Sequence, residues 1–204
     1  MRHSLLALLL AVPVLGSSSA WALFDAQVLT GKRSSDFKHN GVSATESGTE
    51  LKAAFHLDPI PLVPIGFGLS LSQTAWDKSA KLGVKAVDGL EIGLELEAWL
   101  PIELAGFEPY AKLGYTVAGA YLITNESAFG DYKQTYKPSG AYVAAGLKYK
   151  ILMRLGVMVE IEQSTRTLAY DTVKDLPAGL NGVVVKSDVE ATNTSILLGI
   201  QAGI

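Results

Sequence analysis

The chain has 204 residues, 49% of them apolar and 18% charged, with 20 glycines and no cysteine. That length and apolar content suffice for one sizeable domain and exclude a disordered chain. The missing cysteines exclude disulfide frameworks, thiolate zinc sites and cysteine nucleophiles, and the net charge of −3 argues against a nucleic-acid partner.

The first segment reads as an address. Arg2 gives a short basic start, Leu5 to Gly16 is apolar up to its closing glycine, and Ala20 and Ala22 supply the small-x-small pattern that a signal peptidase accepts. The run is too short for a transmembrane helix, which needs about 20 residues. We therefore expect a cleavable signal peptide at 1–22 and a single domain at 23–204. Cleavage removes Arg2 and no acid, leaving 16 bases against 20 acids. A cysteine-free chain suits export to an oxidising compartment.

Beyond residue 23 the recurring period is two, which puts alternate side chains on opposite faces of a strand. Phe24 to Gly31 is a first strand. After a long polar connection, 32–48, Leu51, Ala53, Phe55 and Leu57 alternate with Lys52, Ala54 and His56, until Pro59, Pro61 and Pro64 end the second strand. In the third, Ile65, Phe67, Leu69 and Leu71 oppose Gly66, Gly68, Ser70 and Ser72. A connection at 75–88 leads to the fourth, where Leu90, Ile92, Leu94, Leu96 and Leu100 oppose Glu91, Gly93, Glu95 and Glu97. A short turn at 101–106 precedes a strand with Phe107, Leu113, Tyr115 and Val117 on one parity and Tyr110, Lys112 and Thr116 on the other. The polar stretch 124–139 follows. Ala141, Val143, Ala145, Leu147 and Tyr149 then oppose Tyr142, Gly146 and Lys148; after a tight turn at 150–152, Leu155, Val157, Val159 and Ile161 oppose Arg154, Gly156, Met158, Glu160 and Glu162. A connection at 165–188 leads to the eighth strand, with Ile196, Leu198, Ile200, Ala202 and Ile204 in strict alternation.

The expected connections run long, short, long, short, and most expected strands are about 9 to 12 residues, the length a tilted strand needs to cross a bilayer. An eight-stranded barrel is only just wide enough inside for side chains, so the Leu and Ile parity belongs outside and the small and polar parity inside. The interior then holds Lys52, Lys112, Lys148 and Arg154 with Glu91, Glu95, Glu97, Glu160 and Glu162. Charges buried without partners cost several kcal/mol each, so they should pair. Lys112 and either Glu95 or Glu97 fall at similar depth on adjacent strands and are expected to touch. His56 shares the lumen parity and is read as a satisfied interior histidine.

With its signal segment, eight alternating strands and apolar terminal strand, the chain resembles the small bacterial outer-membrane barrels of the OmpA, OmpX and OmpW type. The resemblance implies an all-β, eight-stranded antiparallel up-and-down transmembrane barrel in the outer membrane, with both termini periplasmic, and we expect it to be a monomer. It also implies that Ile196, Leu198, Ile200, Ala202 and Ile204 form the C-terminal signal read by the barrel-assembly machinery, although family members usually end in an aromatic residue. Outer-membrane lipids and lipopolysaccharide are the implied partners. Lys32, Arg33, Lys38, Lys78, Lys81 and Lys85 are candidates to meet lipopolysaccharide phosphates.

Chemistry is sparse. Ser34, Ser35, Asp36 and His39 gather in the first connection, the one grouping that suits the lipid A acyltransferases and deacylases among small barrels, yet no strained elbow or oxyanion site accompanies them. No cofactor motif and no spaced metal-ligand set is read, and the lumen carboxylates among four bases are read as salt-bridged. The leading reading is therefore a non-enzymatic envelope barrel filled by its own side chains. A lipid-modifying enzyme and a soluble exported ligand-binding barrel are the alternatives.

Overall fold

The computed structural model describes residues 24–39, 42–57, 64–76, 84–100, 106–152, 155–177, 180 and 187–203, with the side chains of 39 and 42 left aside. The expected signal peptide at 1–22 lies outside the described residues. Eight strands follow one another: β1 (Phe24–His39), β2 (Val42–Leu57), β3 (Ile65–Trp76), β4 (Val84–Trp99), β5 (Phe107–Asn125), β6 (Tyr132–Leu152), β7 (Leu155–Lys174) and β8 (Val189–Gly203). Each pairs antiparallel with the next, and β1 pairs with β8, so the sheet closes into an up-and-down barrel without an edge.

The expected parities hold. Leu94 is 51% exposed and Leu198 63%, while their sequence neighbours Glu95 and Leu197 are buried. Around the wall, Phe67, Leu69, Leu113, Val143, Leu147, Val157, Ile161 and Ile196 all point outward. Charged and polar groups fill the inside. This reverses the arrangement of a water-soluble barrel.

The connections are where the sequence reading needs correction. The stretch 32–48 is not a long loop: β1 and β2 run through it, paired from Phe24↔Leu57 to His39↔Val42. Likewise β3 and β4 reach Trp76 and Val84, β5 and β6 reach Asn125 and Tyr132, and β7 continues to Lys174. The strands are 12 to 21 residues long rather than 9 to 12. The cause is an inversion of polarity with height. Along β7 the outward residues change from Leu155, Val157, Val159 and Ile161 to Gln163, Thr165 and Thr167, while the inward ones change from Glu160 and Glu162 to Leu168. Along β1, Ala26 and Val28 give way outside to Lys32, Ser34, Asp36 and Lys38, and inside Asp25 and Gln27 give way to Phe37. Polar outward residues make such stretches look like loops, although the alternation never stops.

Two layers fill the interior. At the distal end, away from the termini, Phe37, Trp76, Val84, Val87, Tyr121, Tyr136, Leu168, Val189 and Ala191 form an apolar plug. Below it lies the ionic layer. Leu29, Tyr110, Met158 and Leu197, with Trp99 against them, form a smaller apolar cluster on the wall.

Candidate functional site

The chemistry-bearing groups converge in the ionic layer. Alternation brings each one inward, and the closed ladder brings strands distant in sequence face to face. Asp25, Glu50, Glu91, Glu95, Glu97, Glu160 and Glu162 are buried there with Arg33, Lys52, Lys112, Lys148 and Arg166, together with His56.

Lys112 is the hub. Its Nζ lies 2.6 Å from Glu160 across the lumen and 3.7 Å from Glu97, its Cα partner on β4; it also donates to Gln27 Oε1 at 2.7 Å. The expected proximity of Lys112 to Glu97 and Glu95 is present, yet the shortest contact runs across the barrel to β7. Lys52 reaches Glu95 and Glu162, both at 2.8 Å, and Glu160 at 3.4 Å. Lys148 is paired with Glu97 and stands 3.3 Å from Asp25. Higher up, Arg166 Nε is 2.8 Å from Glu91 and Arg33 spans Glu91 and Glu50 at 3.4 and 3.7 Å. Tyr121 and Thr116 also donate to Glu91. Such charge-assisted bonds at low dielectric are the condition for burying so many ions.

Aromatic rings complete the packing. Lys52 and Arg166 sit 4.7 and 5.0 Å from the centroid of Tyr142, Lys148 and Lys112 sit 4.9 and 5.3 Å from Tyr110, and Arg33 lies 5.6 Å from Trp76. Each tyrosine crosses a glycine on the neighbouring strand, Tyr110 over Gly146 and Tyr142 over Gly114. The hydroxyl of Tyr110 thereby donates to Glu160 at 2.9 Å and that of Tyr142 to Glu95 at 2.6 Å. A Cβ at Gly146 would stand 2.5 Å from the Tyr110 ring and press the Val159 carbonyl. Gly146→Ala is therefore expected to lower stability by about 1–3 kcal/mol through overpacking, read as a lower urea midpoint in micelles. An unchanged midpoint would show that the ring is not held there.

Several groups escape the sequence reading. Arg33 and Arg166 fall in stretches that composition assigns to loops, while Glu50, just past the first of these, and Asp25, on the first strand, are not among the expected interior charges. Arg154, expected in the lumen, lies outside the described residues. Among the described residues the buried set holds five bases and seven acids. Arg33, expected to meet phosphates outside, is 1% exposed and paired inside. Lys32, Lys38 and Lys85 face outward; a hydrogen bond to Asp131 at 2.6 Å raises the Lys85 ammonium above its usual range. Lys78 and Lys81 lie outside the described residues.

The serine grouping is divided between the two faces of β1. Ser34 and Ser35 sit on β1, where successive residues face opposite ways: Ser34 points outward and Ser35 is buried inside. Asp36 faces outward and accepts from Thr45 Oγ1 at 2.5 Å. Alternation forbids Ser34 and Ser35 from sharing one site. His39 ends β1, and its side chain lies outside the described ones. Of the terminal motif, Ile196, Leu198 and Ile200 are strongly exposed and Ala202 partly so, while Ile204 lies outside the described residues. Among the described residues no helix is long and apolar enough to cross a membrane, which bears on helices alone.

An edgeless eight-stranded up-and-down barrel with an apolar outer band and an ionic interior has the fold of the small outer-membrane β-barrels. Neisserial surface protein A has a similar structure, with a TM-score of 0.54, 10% identity and coverage of 89% of this chain and 97% of that one. Two further solved structures are the attachment invasion locus protein Ail of Yersinia pestis (TM-score 0.48, 11% identity, 87% and 97% covered) and the outer membrane protease OmpT of Escherichia coli (0.49, 10%, 89% and 96%). No protein-family model matches the chain, and no curated protein matches it by sequence.

Proposed function

We propose that this protein is an integral outer-membrane barrel, exported by the signal peptide at 1–22 and folded over 23–204 as a monomer. Its lumen is closed by its own side chains, and it serves the envelope as a structural element or contact surface at the distal end. The observation that carries this reading is the outer band: Leu90, Ile92, Leu94 and Leu96 on β4, with Leu100 just beyond it, are all more than 40% exposed, and so are Ile65, Phe67 and Leu69 on β3. Water would not tolerate a contiguous apolar belt of that size, whereas an acyl-chain layer about 25 Å thick requires one. Aromatic residues support the same placement. Phe107 and Tyr149 pack with ring centroids 4.8 Å apart, and Phe24 and Phe55 at 5.4 Å, all near the end that carries the termini, where an interfacial girdle belongs.

A closed lumen is supported by the density of cross-barrel contacts. Between Ser70, Ser72, Glu91, Gly93, Thr116 and Tyr142 there is room for about one water. Lipid and lipopolysaccharide would cover the band, and the barrel-assembly machinery would read the outward residues Ile196, Leu198, Ile200 and Ala202 with Ile204.

Fractionation and planar-bilayer conductance test the proposal together. The protein is expected in the envelope fraction, released only by detergent, and without discrete conductance steps in a bilayer. Recovery in the periplasmic fraction without detergent would replace the membrane reading with that of a soluble exported barrel, and regular channel openings would overturn the closed lumen.

A further inference from the structure

Near the end that carries the termini, Asp25 of β1, His56 of β2 and Glu97 of β4 each direct one potential ligand atom to a common point, all within 4.8 Å of one another. The ladder explains the convergence. Asp25 and His56 are Cα partners, and β3 opposes them with Gly68, partner of both His56 and Glu95, and with Gly66, partner of Glu97. With no side chain over β3, the His56 ring lies across Gly68, where a Cβ would meet its Cδ2 at 2.7 Å. It thereby reaches β4.

In two of the three residues one polar atom lacks a hydrogen-bond partner. Asp25 Oδ1 and His56 Nδ1 are unpaired, in residues only 6% and 1% exposed. His56 Nε2 is 2.8 Å from Glu95 Oε2. With Nε2 engaged by that carboxylate, Nδ1 is the ring nitrogen left to face Glu97 Oε2, 3.9 Å away. The other oxygens are already occupied: Gln27 donates to Asp25 Oδ2 at 2.6 Å and Glu97 Oε2 at 2.8 Å, and Lys148 holds Asp25 Oδ2 and Glu97 Oε1. Asp25 Oδ1, His56 Nδ1 and the second lone pair on Glu97 Oε2 remain.

We propose that Asp25, His56 and Glu97 bind one divalent first-row transition ion, with Glu95 as the positioning residue that fixes the histidine. One imidazole nitrogen with two carboxylates is a donor set for Zn²⁺ and its neighbours rather than for Ca²⁺ or Mg²⁺. A carboxylate on the far ring nitrogen is the second support that metal-bound histidines ordinarily have. Donors about 2.1 Å from a tetrahedral ion stand roughly 3.4 Å apart, so the triad closes by about an ångström as the ion enters.

Chelator-treated, folded protein in micelles, titrated calorimetrically with Zn²⁺, is expected to take up one ion per chain. His56→Ala should weaken binding ~100-fold, Asp25→Asn at least ~10-fold and Glu95→Gln ~10–100-fold at unchanged stoichiometry. No uptake by folded wild-type protein, or wild-type affinity retained in both Asp25→Asn and His56→Ala, overturns the site. Zn-edge X-ray absorption of the loaded wild type needs no variant to fold: one imidazole in the coordination shell supports the assignment, and none overturns it.

Discussion

Replacing Lys112 with methionine is expected to destabilise the folded barrel by about 3–5 kcal/mol, because the change keeps the bulk of the side chain while removing the cation shared by Glu160, Glu97 and Gln27. The carboxylate of Glu160, none of whose surface reaches solvent, would keep only Lys52 at 3.4 Å and the Tyr110 hydroxyl. The measurement is heat-modified gel mobility with a urea titration in micelles. Fewer variant molecules should migrate in the compact form, and the midpoint should fall. Adding Glu160→Gln removes the stranded charge and should restore part of the loss, since residues in one network do not add independently. Unchanged mobility and midpoint in the single variant would argue against an ionic layer that holds the barrel closed.

The second large effect concerns the outer face. Leu94→Arg places a guanidinium at the middle of the apolar band, among Leu69, Leu96, Leu113 and Tyr115. At a bilayer midplane this costs about 2–4 kcal/mol, whereas an exposed leucine on a water-soluble surface tolerates the same exchange within about 0.5 kcal/mol. Unfolding in lipid vesicles should therefore show the larger loss, with Gln163→Arg, higher on β7 and outward, as the near-neutral comparison. Equal small effects at both positions would show that Leu94 does not face lipid.

How far these features were legible follows from what alternation encodes. Where Leu, Ile and Val oppose Gly, Ser and Glu, as on β3, β4 and β7 below Ile161, the contrast marks both the strand and its lipid-facing side. Lys112 and Glu97 could even be placed as neighbours by counting from the short turn at 101–106, because hairpin register is set by the turn. Above Gln163 and Thr30 the outer face turns polar while the inner one becomes mixed. Period two then survives only as a difference between Ser34 or Lys38 outside and Phe37 inside, which composition alone assigns to a loop. The contacts of Arg33 and Arg166 are hidden for that reason. A different limit governed the triad. Asp25, His56 and Glu97 lie far apart in sequence, and only the closed ladder, with Gly66 and Gly68 leaving space between them, sets them around one point.

Because β5, β6 and β7 continue for 19 to 21 residues, at about 3.3 Å per residue roughly half of that wall stands above the apolar band. Its outward residues are joined across strands, as in the contacts of Lys137 with Asp171 and Lys85 with Asp131. Any antibody that grips this region meets a stiff composite of residues brought together from separate hairpins. A synthetic peptide copied from a single hairpin would lack that composite, and immunisation would need the refolded barrel.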